Sequence, residues 1–185
     1  MEEVTGDIWE KWDEGGRDAI VIPTNGYVRE DGANIMGAGL AKDAADRYPD
    51  LPWLNGKAIS RFGVGVFCFP VDHGWLVTFP VKPASVVSAD PAEIDKLVIA
   101  SKRGKYAPGQ TIPGWAMKAR LWDIKRGVSR LSPLSQAMRW EGILIPRLGC
   151  GRGELSWDEV RPAMAESLDA RFIVVFKERA VERAE

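Results

Sequence analysis

The sequence is poor in the residues that most often bind metals or form disulfides. It has one histidine, His73, and two cysteines, Cys68 and Cys150, among 185 residues. One histidine and two distant cysteines cannot supply the ligand set of a zinc site, and two cysteines do not form a disulfide framework. We therefore expect no metal site, and the sparse cysteines favour a reduced, cytoplasmic protein.

Long apolar runs and an excess of one charge are also absent. No run approaches the roughly 20 apolar residues of a membrane span, and no signal-peptide pattern is present, so no membrane partner is expected. Lys and Arg number 25 against 26 Asp and Glu, which excludes a generally basic nucleic-acid-binding coat. The 45% hydrophobic content excludes intrinsic disorder, and the length predicts a single domain over 1–185.

A histidine-dependent nucleophilic enzyme would have to use His73. This residue lies in Asp72-His73-Gly74, between two apolar runs, which is typical of a hairpin turn. Turns commonly carry polar residues of this kind, so we favour the turn over a catalytic role.

Short apolar runs alternate with helical patterns along the chain. Strands are predicted at 19–23, 64–69, 75–79, 142–146 and 172–176, with 70–74 as the hairpin loop between the second and the third. A helix is predicted over 38–47, ending before Tyr48-Pro49. The alternation predicts an α/β fold with a mainly parallel or mixed sheet between two helical layers.

Two capping signatures predict further helices. The first signature is Asp90-Pro91-Ala92-Glu93, which offers an acceptor at the cap, a proline at the first helical position and a glutamate at the third. The helix that follows has Ile94, Leu97 and Val98 on one face. Ser156 with Glu159 repeats this logic, and Pro162 should kink that helix or delay its start. The stretch 83–116 is the least regular, and 106–114 is its expected exposed loop.

Two glycine-bearing loops follow predicted strands and lead into helices. One is Ile35-Met36-Gly37-Ala38-Gly39-Leu40-Ala41-Lys42, after the strand that ends in Pro23-Thr24-Asn25; the other is Pro146-Arg147-Leu148-Gly149-Cys150-Gly151-Arg152-Gly153-Glu154. Small residues let backbone N–H groups approach phosphate oxygens at a helix N-terminus. Neither loop has the Walker or the Rossmann pattern, and each glycine can also serve an ordinary turn. Two such loops together favour a pyrophosphate clamp at the carboxyl ends of the strands.

These motifs, with Gly6-Asp7-Ile8 before them, resemble a macrodomain in order and spacing over most of the chain. The resemblance implies a three-layer α/β/α fold with a central mixed, mainly parallel sheet, an insertion at 83–116, and no cofactor. Two motifs are most similar to one branch of the family: Met36-Gly37-Ala38-Gly39 and Thr78-Phe79-Pro80-Val81-Lys82. That branch holds the terminal ADP-ribose protein glycohydrolase and the antitoxin that reverses ADP-ribosylation of thymine in DNA.

The resemblance implies roles for individual residues in binding ADP-ribose. Asp7 would accept a hydrogen bond from the adenine amine beside the N–H of Ile8; a helix N-cap is the other interpretation of Asp7. Asn25 would orient the distal ribose, unless it is only a turn residue. The phosphates would be held by Gly37, Ala38, Gly39, Leu40, Gly149, Cys150, Gly151, Arg152 and Gly153.

Lys82 corresponds to the lysine that acts at the ribose anomeric carbon in this branch, as nucleophile or proton donor. Such a lysine needs a lowered pKa, and a surface lysine that ends a strand is the alternative. The glycohydrolase also uses an acidic residue in its second glycine loop. Here Gly153 stands at that position and Glu154 is one residue later, so Glu154 is a candidate acid only if the loop adjusts. A second departure is the longer stretch 26–34, which we expect to form a flap near the distal ribose.

The resemblance therefore favours an ADP-ribosyl glycohydrolase that acts on thymine-linked ADP-ribose in single-stranded DNA, with a cognate ADP-ribosyltransferase toxin as a candidate partner. Alternatives are a non-catalytic ADP-ribose reader, a hydrolase of glutamate-linked ADP-ribose, and an ADP-ribose 1″-phosphate phosphatase. Basic residues at 102–105, 118–120, 125–126 and 130 surround Tyr106, Trp115 and Trp122, which could stack on unpaired bases. A solvated helix face with core tryptophans is the other interpretation.

Overall fold

A six-stranded mixed sheet forms the centre of the computed structural model, which describes residues 1–177 of the chain. The single-domain prediction over 1–185 extends to 178–185, which lie outside the described residues. In chain order the sheet strands are β1 (Glu2–Thr5), β2 (Ala19–Asn25), β3 (Phe67–Val71), β4 (Gly74–Lys82), β7 (Ile143–Pro146) and β8 (Phe172–Phe176). Their order in space is β1-β8-β7-β2-β4-β3, and only β3 is antiparallel to its neighbour. The predicted mixed, mainly parallel sheet is confirmed.

Helices cover both faces of the sheet. On one side lie α1 (Ile8–Asp13), α2 (Gly39–Arg47) and α3 (Leu51–Phe62); on the other lie α5 (Leu121–Ala137) and α6 (Trp157–Ala165). Strand β2 shows why two layers form. Ala19 and Val21 pack into the core under α5 and α6, whereas Ile20 and Ile22 pack into the core under α1 and α2.

The β3–β4 hairpin is tighter than the sequence predicts. Pro70 and Val71 pair with Trp75 and Gly74, so the turn is Asp72 and His73 alone rather than 70–74. Strand β3 also begins at Phe67 instead of residue 64. Pro70 is tolerated because β3 is an edge strand, where the position needs no N–H group to donate a hydrogen bond to a neighbouring strand.

The helix-start signals correspond to real caps. Asp90 accepts a hydrogen bond of 2.9 Å from the N–H of Ala92 at the start of α4 (Pro91–Leu97), and Ser156 forms a complete capping box with Glu159. Pro162 lies inside α6 but does not delay it, since the helix begins at Trp157 directly after its cap.

The stretch 83–116 has a small core of its own. It contains α4, the short strands β5 (Ser85–Val87) and β6 (Thr111–Pro113), and 3₁₀ turns at Ala100–Lys102 and Gly114–Ala116. Ile94, Val98, Ile112, Ala116 and Met117 form its buried cluster. The prediction of an exposed loop over 106–114 is therefore wrong for its second half, because Ile112 is fully buried and pairs with Val86.

The stretch 26–34 is packed against α3. Asn34 donates to the carbonyls of Asn25 and Tyr27, at 2.9 and 2.8 Å, and accepts from Asn55 at 3.0 Å. A Cβ on Gly56 would lie 2.0 Å from the carbonyl oxygen of Gly32, which shows how closely this loop approaches the helix. This contact is set by the tertiary structure and ties the segment down.

Within residues 1–177, no helix is both long and apolar enough to cross a membrane. The same part of the chain brings together no group of three or more His, Cys, Asp or Glu side chains that could hold a metal ion.

Candidate functional site

A cavity of about 1150 Å³ opens at the carboxyl ends of β2, β4, β7 and β8. Both glycine loops line it, and so do Asn25 at the end of β2 and Lys82 at the end of β4. Most of the predicted site residues therefore meet in one place: Asn25, Gly37, Ala38, Gly39, Leu40, Lys82, Gly149, Cys150, Gly151, Arg152 and Gly153 all line this cavity. His73, in its hairpin turn, is not among the lining residues.

The first glycine loop presents the N-terminus of α2 to the cavity. Ala38 is the N-cap residue, and no side chain caps the helix there. Gly39, the first helical residue, has a φ of 54°, a conformation that glycine adopts without strain. The first N–H groups of an α-helix have no partner within the helix, so this end favours an anion.

The second glycine loop is closely packed at its two ends and open in its middle. Gly149 has a φ of 72°, and a Cβ on Gly153 would lie 2.4 Å from the carbonyl oxygen of Gly149. The carbonyl of Gly153 also accepts a hydrogen bond of 2.9 Å from Ala119. By contrast, a Cβ on Gly151 would meet no atom within 4 Å. The glycines at the ends are thus required by packing, and the middle one faces open space.

Lys82 is a buried lysine in the wall of the cavity. The residue is only 7% exposed, and its Nζ donates a hydrogen bond of 3.0 Å to the carbonyl of Arg152 in the second glycine loop. Burial lowers the pKa of Lys82 to about 8; the negative charge of Glu154 opposes this shift and the positive charge of Arg152 adds to it. Such an amine can donate a proton or act as a nucleophile near neutral pH.

Asn25 lies at the cavity with both ends of its amide engaged. Its Nδ2 donates to the carbonyl of Ile35 at 2.7 Å, and its Oδ1 accepts from the N–H of Tyr27 at 2.9 Å. These bonds hold the two ends of the 26–34 stretch. The role of Asn25 toward a ribose stays a prediction. The predicted flap over 26–34 is wrong, because none of these residues lines the cavity and the segment packs on α3 instead.

Glu154 is directed toward the 83–116 stretch. Its Oε1 accepts a hydrogen bond of 2.7 Å from the N–H of Ala100, and its Oε2 lies 3.7 Å from the Nζ of Lys118. Gly153 and Leu155 on either side line the cavity, whereas Glu154 does not. The carboxylate thus links the second glycine loop to the segment that packs over it.

Asp7 is the N-cap of α1. Its Oδ1 accepts from the N–H groups of Trp9 and Glu10, at 2.7 and 3.3 Å, and its Oδ2 lies 2.6 Å from the Nζ of Lys177. The hydrogen bond from Lys177 holds the pKa of this carboxyl below its usual range. Asp7 and Ile8 line a smaller cavity of about 250 Å³ that shares Leu40, Pro146, Val175, Phe176 and Lys177 with the large one. The cap is therefore real, and the adenine role stays a prediction.

Several lining residues are not predicted for the ADP-ribose site, although Lys102 and Trp115 are candidates for contacts with unpaired bases and Arg147 belongs to the second glycine loop. From the 83–116 stretch come Ile99, Ser101, Lys102 and Trp115, with the Nζ of Lys102 4.9 Å from the centre of the Trp115 ring. Arg147 stacks 3.5 Å above the ring centre of Phe176. Arg147 and Phe176 end or follow strands, so the rule that ligands bind at strand ends could have found them. Trp115 is a sequence candidate only for stacking on unpaired bases, and no local signal indicates that it lines this cavity.

The predicted aromatic residues separate into two groups. Trp115 and Tyr106 pack against the small core of the 83–116 stretch. Trp122 is 61% exposed on α5, so the interpretation as a core tryptophan is wrong for this residue.

Comparison with known proteins reveals similarity in three dimensions. No family model matches the chain, and no curated protein matches its sequence. Among solved structures, a macrodomain of Thermus aquaticus DarG has a TM-score of 0.66 and 21% identity over 96% of this chain and 97% of that one. A macrodomain of Mycobacterium tuberculosis DarG has a TM-score of 0.64 and 19% identity over 94% and 95% of the two chains. Thermosipho africanus DarTG in complex with ADP-ribose has a TM-score of 0.66 and 16% identity, over 98% of this chain but 43% of the other. At these identities the similarity concerns the path of the chain rather than its residues.

Proposed function

The chain has the macrodomain fold, and on that premise we propose that it binds ADP-ribose and hydrolyses the bond between ADP-ribose and a modified macromolecule. One structure of similar fold is described as a complex with ADP-ribose. The observation that carries the proposal is the buried amine of Lys82, which lies in a cavity lined by both glycine loops. An amine in that position reaches the sugar once the two loops hold a diphosphate.

The cavity offers each part of ADP-ribose a chemically suitable wall. The diphosphate would lie between the N-terminus of α2 and the loop 149–153, where backbone N–H groups and the helix dipole favour negative charge. The adenine would extend toward Phe176 and Asp7, in the smaller adjoining cavity. In this orientation the distal ribose would lie toward Asn25 and Lys82, at the carboxyl ends of β2 and β4.

The chemistry needed at the ribose matches what Lys82 can supply. Breaking a glycosidic bond develops positive charge at the anomeric carbon, and the leaving group must gain a proton. With a pKa of about 8, the Lys82 ammonium can donate that proton while water attacks the carbon. Alternatively, the roughly one tenth of Lys82 that is neutral at pH 7 can attack the carbon and pass the proton that it then loses to the leaving group. Water next attacks the same carbon, breaks the bond to the Lys82 nitrogen and returns a proton to the amine.

Thymine-linked ADP-ribose in single-stranded DNA is the substrate that we propose. The resemblance implies that the thymine-DNA antitoxin of this branch can do without an acidic partner for its lysine. The position of Glu154 supports this route, since its carboxylate is held by Ala100 and Lys118 and does not line the cavity. An ADP-ribosyltransferase that modifies the same DNA would then be the functional partner.

The proposal is tested by giving the protein two substrates: thymine-ADP-ribosylated single-stranded DNA and glutamate-ADP-ribosylated protein. We expect release of ADP-ribose mainly from the DNA, and loss of release in Lys82→Met with ADP-ribose binding retained by calorimetry. Lys96→Met, which changes an exposed lysine on α4, is the matched control and should match the wild type. Binding without release from either substrate would identify a reader. Release only from protein would favour the glutamate-specific hydrolase, and phosphate release only from ADP-ribose 1″-phosphate would favour the phosphatase.

The pH dependence of the reaction tests the role of Lys82 directly. We expect kcat/KM, which reports the free enzyme, to change slope near pH 8, because that is where the Lys82 amine titrates. A rate that falls above pH 8 indicates proton donation by the ammonium, and a rate that rises toward pH 8 indicates attack by the neutral amine. A profile with no inflection between pH 7 and 9 would contradict both roles.

A further inference from the structure

Two aromatic side chains stand exposed on the surface, each beside arginine. Trp122 on α5 is 61% exposed, and the guanidinium carbon of Arg126 lies 4.7 Å from the centre of its ring. Phe62 at the end of α3 is 69% exposed, and the guanidinium carbon of Arg61 lies 5.2 Å from its ring centre. Exposed aromatic rings backed by arginine are the elements with which proteins stack unpaired bases.

The two aromatic residues belong to one continuous surface, because α5 contacts the loop that follows α3. Arg126 donates a hydrogen bond of 3.3 Å to the carbonyl of Val64, and a Cβ on Gly65 would lie 3.5 Å from the Nη1 of Arg130. We call this the aromatic–arginine surface and define it by Arg61, Phe62, Val64, Trp122, Arg126 and Arg130.

The charge on this surface has one sign. Residues 57–70 contain Lys57 and Arg61 but no acidic residue, and α5 contains a single acid, Asp123. Asp123 is buried and paired with Arg120. None of the described ion pairs within 1–177 involves Arg61, Arg126 or Arg130. Because the whole chain has a net charge of -1, this local positive charge is segregated rather than general.

The surface adjoins the strand end that carries Lys82. A Cβ on Gly26 would lie 2.6 Å from the side chain of Val64 and 2.8 Å from the backbone nitrogen of Ala84, so Val64 packs beside the residues that follow Lys82. The N–H of Arg120, two residues before Trp122, donates a hydrogen bond of 3.0 Å to the carbonyl of Val81. A polymer that crosses the surface therefore passes close to the end of β4.

We propose that the aromatic–arginine surface binds single-stranded DNA, with bases stacked on Trp122 and Phe62 and phosphates paired with Arg61, Arg126 and Arg130. The inference rests on the proposed function for its choice of occupant and deepens it by assigning a second contact region to the same substrate. Arginines without carboxylate partners favour a polyanion over a protein surface. Single-stranded DNA also exposes the base faces that a duplex hides.

The test uses an unmodified, fluorescently labelled thymine-rich 20-mer and the whole 185-residue chain, so that it does not depend on any glycohydrolase activity. We expect Trp122→Ala and Phe62→Ala each to weaken binding about 5-fold or more, the lower end of the loss of one stacked base. Arg61→Gln combined with Arg130→Gln should lower the slope of log affinity against log salt by about 1.4. All variants should bind ADP-ribose as the wild type does, which shows that they fold.

Controls locate the DNA on the surface. Trp53→Ala removes another exposed tryptophan from α3, and Arg17→Gln removes a charge just before β2, at the amino ends of the parallel strands; both should leave DNA affinity unchanged. If Arg103→Gln weakens binding while Trp122→Ala does not, the DNA lies on the 83–116 stretch and the inference is wrong. No measurable binding to the oligonucleotide, or equal binding by all variants, also overturns it. Loss of DNA binding in the Trp122 and Phe62 variants of a protein that releases no ADP-ribose would support the surface and contradict only the proposed catalysis.

Discussion

At the scale of single residues, Lys82 illustrates a conflict between stability and activity. Its ammonium is buried, and burial lowers its pKa to about 8. Between about pH 8 and the unfolded value of 10.5, the folded protein therefore binds fewer protons than the unfolded chain. Stability should rise with pH across this window, and the full cost of the buried charge is present below it.

We therefore expect Lys82→Met to be more stable than the wild type at pH 7, by up to about 3 kcal/mol, because the substitution removes the buried charge. The lost hydrogen bond to Arg152 offsets part of the gain. Urea unfolding at several pH values measures the effect, and the advantage should shrink between pH 8 and 10.5. A variant that is less stable than the wild type at pH 7 would show that Lys82 contributes to stability.

Glu154 gives a second prediction at this scale. Glu154→Gln keeps an oxygen for the N–H of Ala100 but removes the charge that raises the pKa of Lys82. We expect kcat to stay within about 3-fold of the wild type, since the residue does not line the cavity. The inflection in the pH profile of kcat/KM, which reports the free enzyme, should move below pH 8. Steady-state rates from pH 6 to 9 measure both. A loss of about 100-fold or more would instead identify Glu154 as the acid.

At the scale of elements, the glycine loops show how far local pattern could lead. Their place after strands and before helices predicted a phosphate site, and the structure brings both to one cavity. The pattern could not tell which glycines serve packing. That distinction depends on Ala119, which is distant in sequence but contacts both Gly149 and Gly153.

The second loop therefore offers a matched pair of substitutions. Gly153→Ala should destabilise the protein by about 1–3 kcal/mol, because its Cβ would lie 2.4 Å from a carbonyl oxygen. Gly151→Ala should leave the melting temperature nearly unchanged, since its Cβ meets no protein atom, yet weaken ADP-ribose binding by intruding on the diphosphate. Thermal unfolding and calorimetry separate the two effects. Unchanged affinity in Gly151→Ala would place the diphosphate elsewhere.

At the scale of the whole molecule, one cavity draws its walls from distant parts of the chain. The cavity is lined by residues of β2, α2, β4 and β7 and also by residues of the 83–116 stretch, among them Trp115 and Lys102. The stretch 26–34, which follows directly from β2, contributes none. That 83–116 is an insertion relative to macrodomains stays a prediction.

This arrangement predicts a pattern of hydrogen exchange. ADP-ribose at saturating concentration should slow amide exchange in 37–40, 149–153 and 99–102 together, because all three segments contain residues that line the cavity. Exchange in 26–34 should change little. Protection of 26–34 without protection of 99–102 would indicate that 26–34 covers the ligand as a flap. It would contradict the contribution of 99–102 to the binding cavity.

The sequence by itself determined the elements that local chemistry controls. Alternating apolar runs, the caps Asp90 and Ser156, and the glycines at the start of α2 each depend on interactions within a few residues. The fold class and five of the six strands of the described central sheet could therefore be predicted, although several strand ends differ by two or three residues. Tertiary structure alone decided the rest. The burial of Lys82, the turning of Glu154 toward Ala100, and the exposure of Trp122 depend on which distant segments pack beside them. Burial and long-range contact are properties of the packed chain, and no local pattern encodes them.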